Sequence, residues 1–170
     1  MTIGEEFLDQ SRKVFRMQKD GADKAMIQLS DAELFWQPDP ETNSIAINMK
    51  HMAGNMISRW TDFLTTDGEK PDRHRDSEFE IDTKDAKALK EYWERGYSVF
   101  FQTINSLAEV DLLKTVYIRR EPHTVIQAIQ RQVSHYGYHV GQIVGLAKQI
   151  KVGDWKTLTI PRGKSDEYLK

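Results

Sequence analysis

The 170-residue sequence contains no cysteine. Disulfides, thiolate zinc sites, iron–sulfur clusters and a cysteine nucleophile are thereby excluded. Any metal must be held by His, Asp, Glu, backbone or water. An excess of one charge sign is also missing: 24 Lys and Arg face 26 Asp and Glu, a formal net charge of −2. Nucleic-acid affinity rests on cationic excess, so no nucleic-acid partner is expected. Long hydrophobic runs are absent too, and no stretch approaches the roughly 20 apolar residues that span a bilayer. The opening Met1-Thr2-Ile3-Gly4-Glu5-Glu6 is acidic and has no apolar run, so it does not read as a signal peptide. A soluble cytoplasmic protein without a membrane partner is the expectation.

What remains is a chain with 39% hydrophobic residues and 10% aromatics, enough for one core and one domain over residues 1–170. Four segments have helical periodicity. The first, about residues 3–29, carries Phe7, Leu8, Val14, Phe15, Met26 and Leu29, with Gly21 weakening its middle. Ser30 and Glu33 fit a short capped turn, and Pro38 and Pro40 bar a regular helix after it. Asn43-Ser44 supplies an N-cap for a second helix, whose stripe runs through Met49, Met52, Ala53, Met56, Ile57, Trp60 and Leu64. Residues 65–82 read as a polar surface loop.

Thr83 is the expected cap of the third helix, which buries Leu89, Trp93, Tyr97, Phe100, Phe101 and Ile104 and ends near Leu107. Residues 113–118 are β-branched and aromatic, hence extended or a short strand, and residues 119–122 turn the chain. Thr124 opens the fourth helix, which runs to about Ile150 with the most regular stripe: Val125, Ile129, Val133, Tyr136, Val140, Ile143, Val144, Ala147 and Ile150. The tail from Trp155 reads as extended and able to pack across the helices. The fold class predicted is all-α, a four-helix bundle with long connections, an architecture that often holds metal sites in its interior.

Of five histidines, His135 and His139 stand four apart on the fourth helix and share one face. Two such imidazoles can converge on one ion; two hydrogen-bonded interior histidines are the alternative. His51 falls beside the apolar stripe of the second helix. Two helices with inward histidines can close a three-nitrogen site with an open position, the pattern of catalytic zinc. A lone, satisfied helix histidine is the other reading of His51.

Three segments carry a resemblance: Asn43-Ser44-Ile45-Ala46 running into Lys50-His51-Met52-Ala53-Gly54-Asn55; His123-Thr124-Val125 leading to His135-Tyr136-Gly137-Tyr138-His139-Val140-Gly141-Gln142-Ile143; and the tail Trp155 through Ser165. Together the chain resembles the DinB-like superfamily, in particular a subfamily of small uncharacterised proteins. The resemblance implies an up-down-down-up four-helix bundle and a homodimer. It also implies a divalent metal, zinc or nickel, on a histidine triad that maps onto His51, His135 and His139. Relatives in that superfamily include bacillithiol- and mycothiol-dependent transferases and isomerases.

The function expected from this resemblance is a metal-dependent enzyme acting on a small molecule. It would be a thiol-dependent S-transferase with a low-molecular-weight thiol as cosubstrate, or a hydrolase. A non-catalytic, dimeric metal-binding or stress-associated protein is the alternative. No residue is assigned a catalytic or cofactor-binding role. Asn55, one turn after His51, reads as a helix residue bonded to backbone or water, with a place lining the same pocket as the alternative; Tyr138 reads as packing, and Gln142 as a candidate to orient a ligand histidine. Arg119, Arg120 and Arg162 read as solvated surface rather than anion anchors, and Arg73-His74-Arg75 as a solvated loop neutralised by neighbouring acids. His123 reads as a helix-start residue. Trp36, Trp60, Trp93 and Trp155 suggest more apolar surface than one bundle buries, a possible source of a dimer interface.

Overall fold

The computed structural model describes residues 1–81 and 83–168. Asp82, Leu169 and Lys170, at the ends of the expected loop and tail, lie outside the described residues. Helix α1 spans Ile3–Met26 and starts in a capping box, in which Thr2 accepts from the Glu5 backbone and Glu5 accepts from Thr2. Each partner satisfies an amide that the first turn would leave bare. Gly21 does not interrupt it, and open space faces the position where a side chain would project.

Helix α2 spans Ile45–Trp60, capped by Ser44, whose hydroxyl accepts from the Ile47 amide at 3.1 Å. The expected extension to Leu64 is corrected. Thr61 turns extended and Asp62 takes a left-handed φ of 49°, which ends the helix at Trp60. Phe63 and Leu64 still reach the core from that turn. Helix α3 spans Ala86–Ser106. Its cap is Asp85, which accepts from the Ala88 amide at 3.0 Å, so the expectation of Thr83 is also corrected.

The extended segment after α3 forms a hairpin, β1 (Thr115–Ile118) paired antiparallel with β2 (Glu121–Thr124). Sequence reading placed a turn where β2 begins. The turn is only Arg119 and Arg120, with φ of 55° and 65°. Two left-handed residues in a two-residue loop match the right-handed twist of the strands. Helix α4 spans Val125–Ile150 and opens with a Thr124–Gln127 capping box.

The structure is mostly helical, with one small hairpin. Helix α2 lies against α3 and α4, and α1 against α4 and α3. Of the 16 residues in α2, all but Lys50 and Ile57 are buried. A helix buried on nearly all sides is a core element rather than a surface one. Around it Phe15, Trp60, Phe100 and Tyr136 pack edge to face, the arrangement aromatic quadrupoles favour. Trp60 and Trp93 are wholly interior. The expected surplus of surface tryptophan therefore shrinks to Trp36 and the half-buried Trp155. The tail returns to the helices: Trp155 and Leu158 pack against the core, and Gln28 exchanges two hydrogen bonds with the Lys156 backbone. Among the described residues no helix is long and apolar enough to cross a membrane.

Helices α3 and α2 approach closely at Gly96 of α3. A Cβ built there would stand 2.8 Å from the Ala53 Cα and 3.2 Å from its carbonyl oxygen. Room for a side chain there requires α3 and the histidine-bearing α2 to part. Gly96→Val should destabilise the fold by about 2 kcal/mol or more through overpacking, read as a lowered midpoint in urea unfolding. A midpoint equal to wild type would show that α2 and α3 do not meet this closely.

Candidate metal centre

His51 enters the interior from the middle of α2 and is 4% exposed. On α4, His139 occupies the buried stripe that runs Val125, Ala128, Ile129, Gln132, Tyr136, His139 and Ile143. His135, one turn earlier, stands at the edge of that stripe and is half-buried. The separation of four that puts both on one face thus leaves one imidazole inside and one at the rim. One ring nitrogen from each of His51, His135 and His139 lies within 4.8 Å of the other two. His51 Nε2 and His135 Nε2 are 3.2 Å apart. Bonds of 2.0–2.1 Å to a tetrahedral zinc place neighbouring nitrogens about 3.3 Å apart. The donor set therefore fits a divalent ion in chemistry, and the His51–His135 pair fits it in spacing.

Two of the three remaining ring nitrogens are spoken for. His51 Nδ1 lies 2.8 Å from Glu78 Oε2, and His139 Nδ1 lies 2.8 Å from Asn48 Oδ1. Both partners present an oxygen, so each Nδ1 carries the proton and donates it. Each Nε2 is left with a free lone pair, the tautomer a metal ligand needs. Sequence reading found neither partner. Asn48 sits on α2, three residues before His51, and its own amide is anchored to the Ser44 carbonyl at 2.9 Å. Glu78 comes from a short helical turn, Asp76–Phe79, within the polar connection after α2. It folds in over Gly54, whose hydrogen leaves the room: a Cβ there would meet Glu78 Oε1 at 2.3 Å.

Glu78 is 5% exposed and carries its charge because Arg73 grips both its oxygens at 2.8 Å. Burial alone would raise its pKa, but the His51 bond and the Arg73 guanidinium outweigh it and hold the carboxyl below its ordinary range. Arg73 is held in turn by Glu69, which also accepts from Arg119 Nε at 3.2 Å. An alternating chain His51–Glu78–Arg73–Glu69–Arg119 therefore runs from the interior to the hairpin turn. The expected solvated Arg73-His74-Arg75 loop is corrected for Arg73, which is drawn inside by two carboxylates. His74 is exposed, as expected. Arg75 lies over the Phe79 ring, which itself packs on His51.

Asn55 bonds to side chains, a correction of the expected bond to backbone. Its Oδ1 accepts from Gln132 Nε2 at 2.7 Å and from the Tyr136 hydroxyl at 3.2 Å, and that hydroxyl accepts from Trp60 Nε1. This buried network lies directly beneath the histidines. Tyr138 is not core packing: its ring is exposed and stands edge-on to His139. Gln142 makes no hydrogen bond to a histidine among the described residues; Asn48 and Glu78 fill that role. His123 lies in β2, bonded to the Glu121 carbonyl and apart from the triad. Arg119, Arg120 and Arg162 are exposed, as expected, and Arg119 also lines a cleft described next.

Two clefts flank α2. The larger, about 560 Å³, touches the cluster only through Glu78 and Gly54. The other, about 410 Å³, is walled by Asn55, Gln132, Ser134, Tyr138 and several arginines, and opens onto His135. The second is the chemically relevant opening because it meets a triad imidazole. A family model described as a protein of unknown function (DUF1572) matches residues 2–164. No curated protein and no solved structure matches the chain.

Burial, followed by the nearby His139, His51 and the Arg59 and Arg131 charges, lowers the His135 pKa from 6.5 to about 3. Burial, then His51, lowers that of His139 to about 4. Both imidazoles are neutral in the fold near pH 5, where those of an unfolded chain are charged. The unfolded state then binds more protons, so stability is complete above about pH 6.5 and declines as pH falls toward the folded values. Metal-free protein should lose thermal stability steadily between pH 6.5 and 4.5, and a His135→Gln, His139→Gln variant should show a flatter profile there. Parallel profiles would contradict buried, neutral imidazoles.

Proposed function

The chain belongs to the DUF1572 family, and we propose that His51, His135 and His139 hold a divalent metal ion at the centre of a small-molecule enzyme. The observation that carries this reading is the convergence of three imidazole nitrogens, two of them on rings fixed in the ligand tautomer by Glu78 and Asn48. Zinc or nickel suits three nitrogen donors without thiolate. When bound, such an ion supplies Lewis acidity, which polarises a substrate oxygen or favours a substrate thiol as its thiolate. The reaction proposed is thiol-dependent S-transfer, with a low-molecular-weight thiol as cosubstrate, or hydrolysis.

The chain's own contribution is orientation. Glu78, kept anionic by Arg73, accepts a charge-assisted hydrogen bond from His51 Nδ1 and makes Nε2 a better ligand. Asn48 fixes His139 with a neutral bond. Phe79 and Tyr138 stand against the rings of His51 and His139. His135, at the rim, faces the cleft through which a substrate arrives. That open side favours a catalytic role over a sealed metal cross-link between helices.

The DinB-like resemblance adds an up-down-down-up four-helix bundle comprising the whole chain as one domain, acting as a cytoplasmic homodimer. The helix pairings α2–α3, α1–α4 and α2–α4 agree with a bundle. Sedimentation at micromolar concentration should give twice the 19.8 kDa chain mass, and a monomer would refute the dimer.

The reading is tested by metal content, measured by inductively coupled plasma mass spectrometry on tag-free protein. Near-stoichiometric zinc or nickel should be present in wild type and lost in His135→Ala, His139→Ala. Glu78→Gln should retain the site but weaken affinity by about 10-fold or more, since it removes the charge behind His51. Absence of metal in wild type after incubation with divalent ions would overturn the site.

A further inference from the structure

The cleft that opens onto His135 is lined by Arg59, Arg75, Arg119 and Arg131 and by no carboxylate. Arg119 and Arg75 are paired with Glu69 and Asp76, which leaves Arg59 and Arg131 as the unmatched charges of the cleft. Arg59 is the decisive member. It belongs to the buried helix α2 and is 3% exposed. Among the described residues its guanidinium makes one hydrogen bond, from Nη1 to Gln132 Oε1 at 3.3 Å, and its Nε has no partner. No described carboxylate lies within 4 Å of Arg59 or of Arg131. Buried arginines are ordinarily paired, because the loss of hydration is otherwise uncompensated. Arg73, equally inaccessible, shows the ordinary case with two carboxylates.

The hairpin gives an independent indication. A two-residue turn with both residues left-handed favours Asn-Gly, whose backbones accept that conformation with little strain. Here Arg119 and Arg120 occupy it. The strain is offset by Asp67, which accepts from both amides, at 2.9 and 2.7 Å. The turn thereby keeps Arg119 at the cleft wall. Arg131 lies one turn before His135 on α4 and shares its face.

We propose that this cleft binds an anionic group, a phosphate or carboxylate, of the molecule on which the triad acts. Guanidinium groups match both oxyanions through paired N–H donors. Arg59 supplies the buried, desolvated end of the site, and Arg119 and Arg131 its two walls. The anion completes the charge balance that the protein leaves open around Arg59, and the rest of the molecule extends toward His135. The role of the bound molecule rests on the metal reading; the anion site does not, because none of its arginines belongs to the triad.

The test is isothermal titration of the full chain after chelation of metal, with inorganic phosphate and, separately, succinate, at constant ionic strength set with chloride. Saturable binding of one anion per chain is expected for at least one probe. Preference for phosphate identifies a phosphorylated substrate, and preference for succinate a carboxylate. Arg131→Ala, on an exposed helix position, should weaken that binding by about 10-fold or more. An Arg119→Asn, Arg120→Gly variant should do likewise while melting at the same or a higher temperature without anion, since it relieves the turn. No saturable binding of either probe to wild type, or unchanged affinity in both variants, would overturn the proposal. A protein that binds anion but no metal would refute the metal reading alone, and the converse would refute this one alone.

Discussion

Nearly every side chain of α2 is removed from water, including Asn48, His51, Asn55, Ser58 and Arg59. Buried polar groups are costly unless hydrogen-bonded. The rest of the molecule is arranged to meet that demand. Asn48 is matched by His139, His51 by Glu78, Asn55 by Gln132 and Tyr136, and Ser58 by the Gly68 carbonyl and the Lys70 amide. These partners are the polar positions of the α4 stripe and the inward residues of the connection after α2. The candidate centre is thus the set of contacts that makes a polar helix tolerable in a core. Arg59 is the member of the series left with the weakest match.

The helices and the His135–His139 pair were legible because they repeat at helical spacing, and His51 because it falls beside the apolar stripe of α2. Thr124 and Ser44 announced their helices through ordinary cap chemistry. Helix ends were harder. Trp60 closes α2 because Asp62 goes left-handed, yet Phe63 and Leu64 continue the apolar pattern and hide the stop. At α3, Thr83 and Asp85 are both good caps, and only the backbone decides between them. Glu78 was illegible for a deeper reason. Its polar segment gives no periodic signal, and its inward direction depends on the space above Gly54 and on Arg73 arriving with it. Arg59 was passed over because an arginine at the end of a helix ordinarily reaches solvent. Its burial follows from the connection after Trp60, where Gly68 lies against its side chain.

The interior also divides into layers of different character. Phe15, Phe100, Trp60 and Tyr136 form an apolar floor, and the Tyr136 hydroxyl and Trp60 Nε1 mark its polar edge. Above it Asn55 and Gln132 form a neutral amide layer. The histidines adjoin this layer, and the arginine-lined opening meets it through Asn55 and Gln132 and reaches His135. Each layer restrains the one above, so the imidazoles stand on packed side chains rather than on a loop, the condition for holding a site to the tolerance that ligation or catalysis requires.

The alternating chain from His51 through Glu78, Arg73 and Glu69 to Arg119 has a consequence for how such sequences can diverge. Removing Glu78 or Arg73 leaves the other as a buried charge without its two-point partner, a loss of several kcal/mol. Single substitutions are then filtered out, whereas a joint replacement by apolar residues of similar volume is not. Glu78, Arg73 and Glu69, drawn from a connection that composition alone marks as variable, should be inherited as a block. The segment between α2 and α3 is therefore free to drift in its exposed residues while it stays fixed at the few positions that face inward.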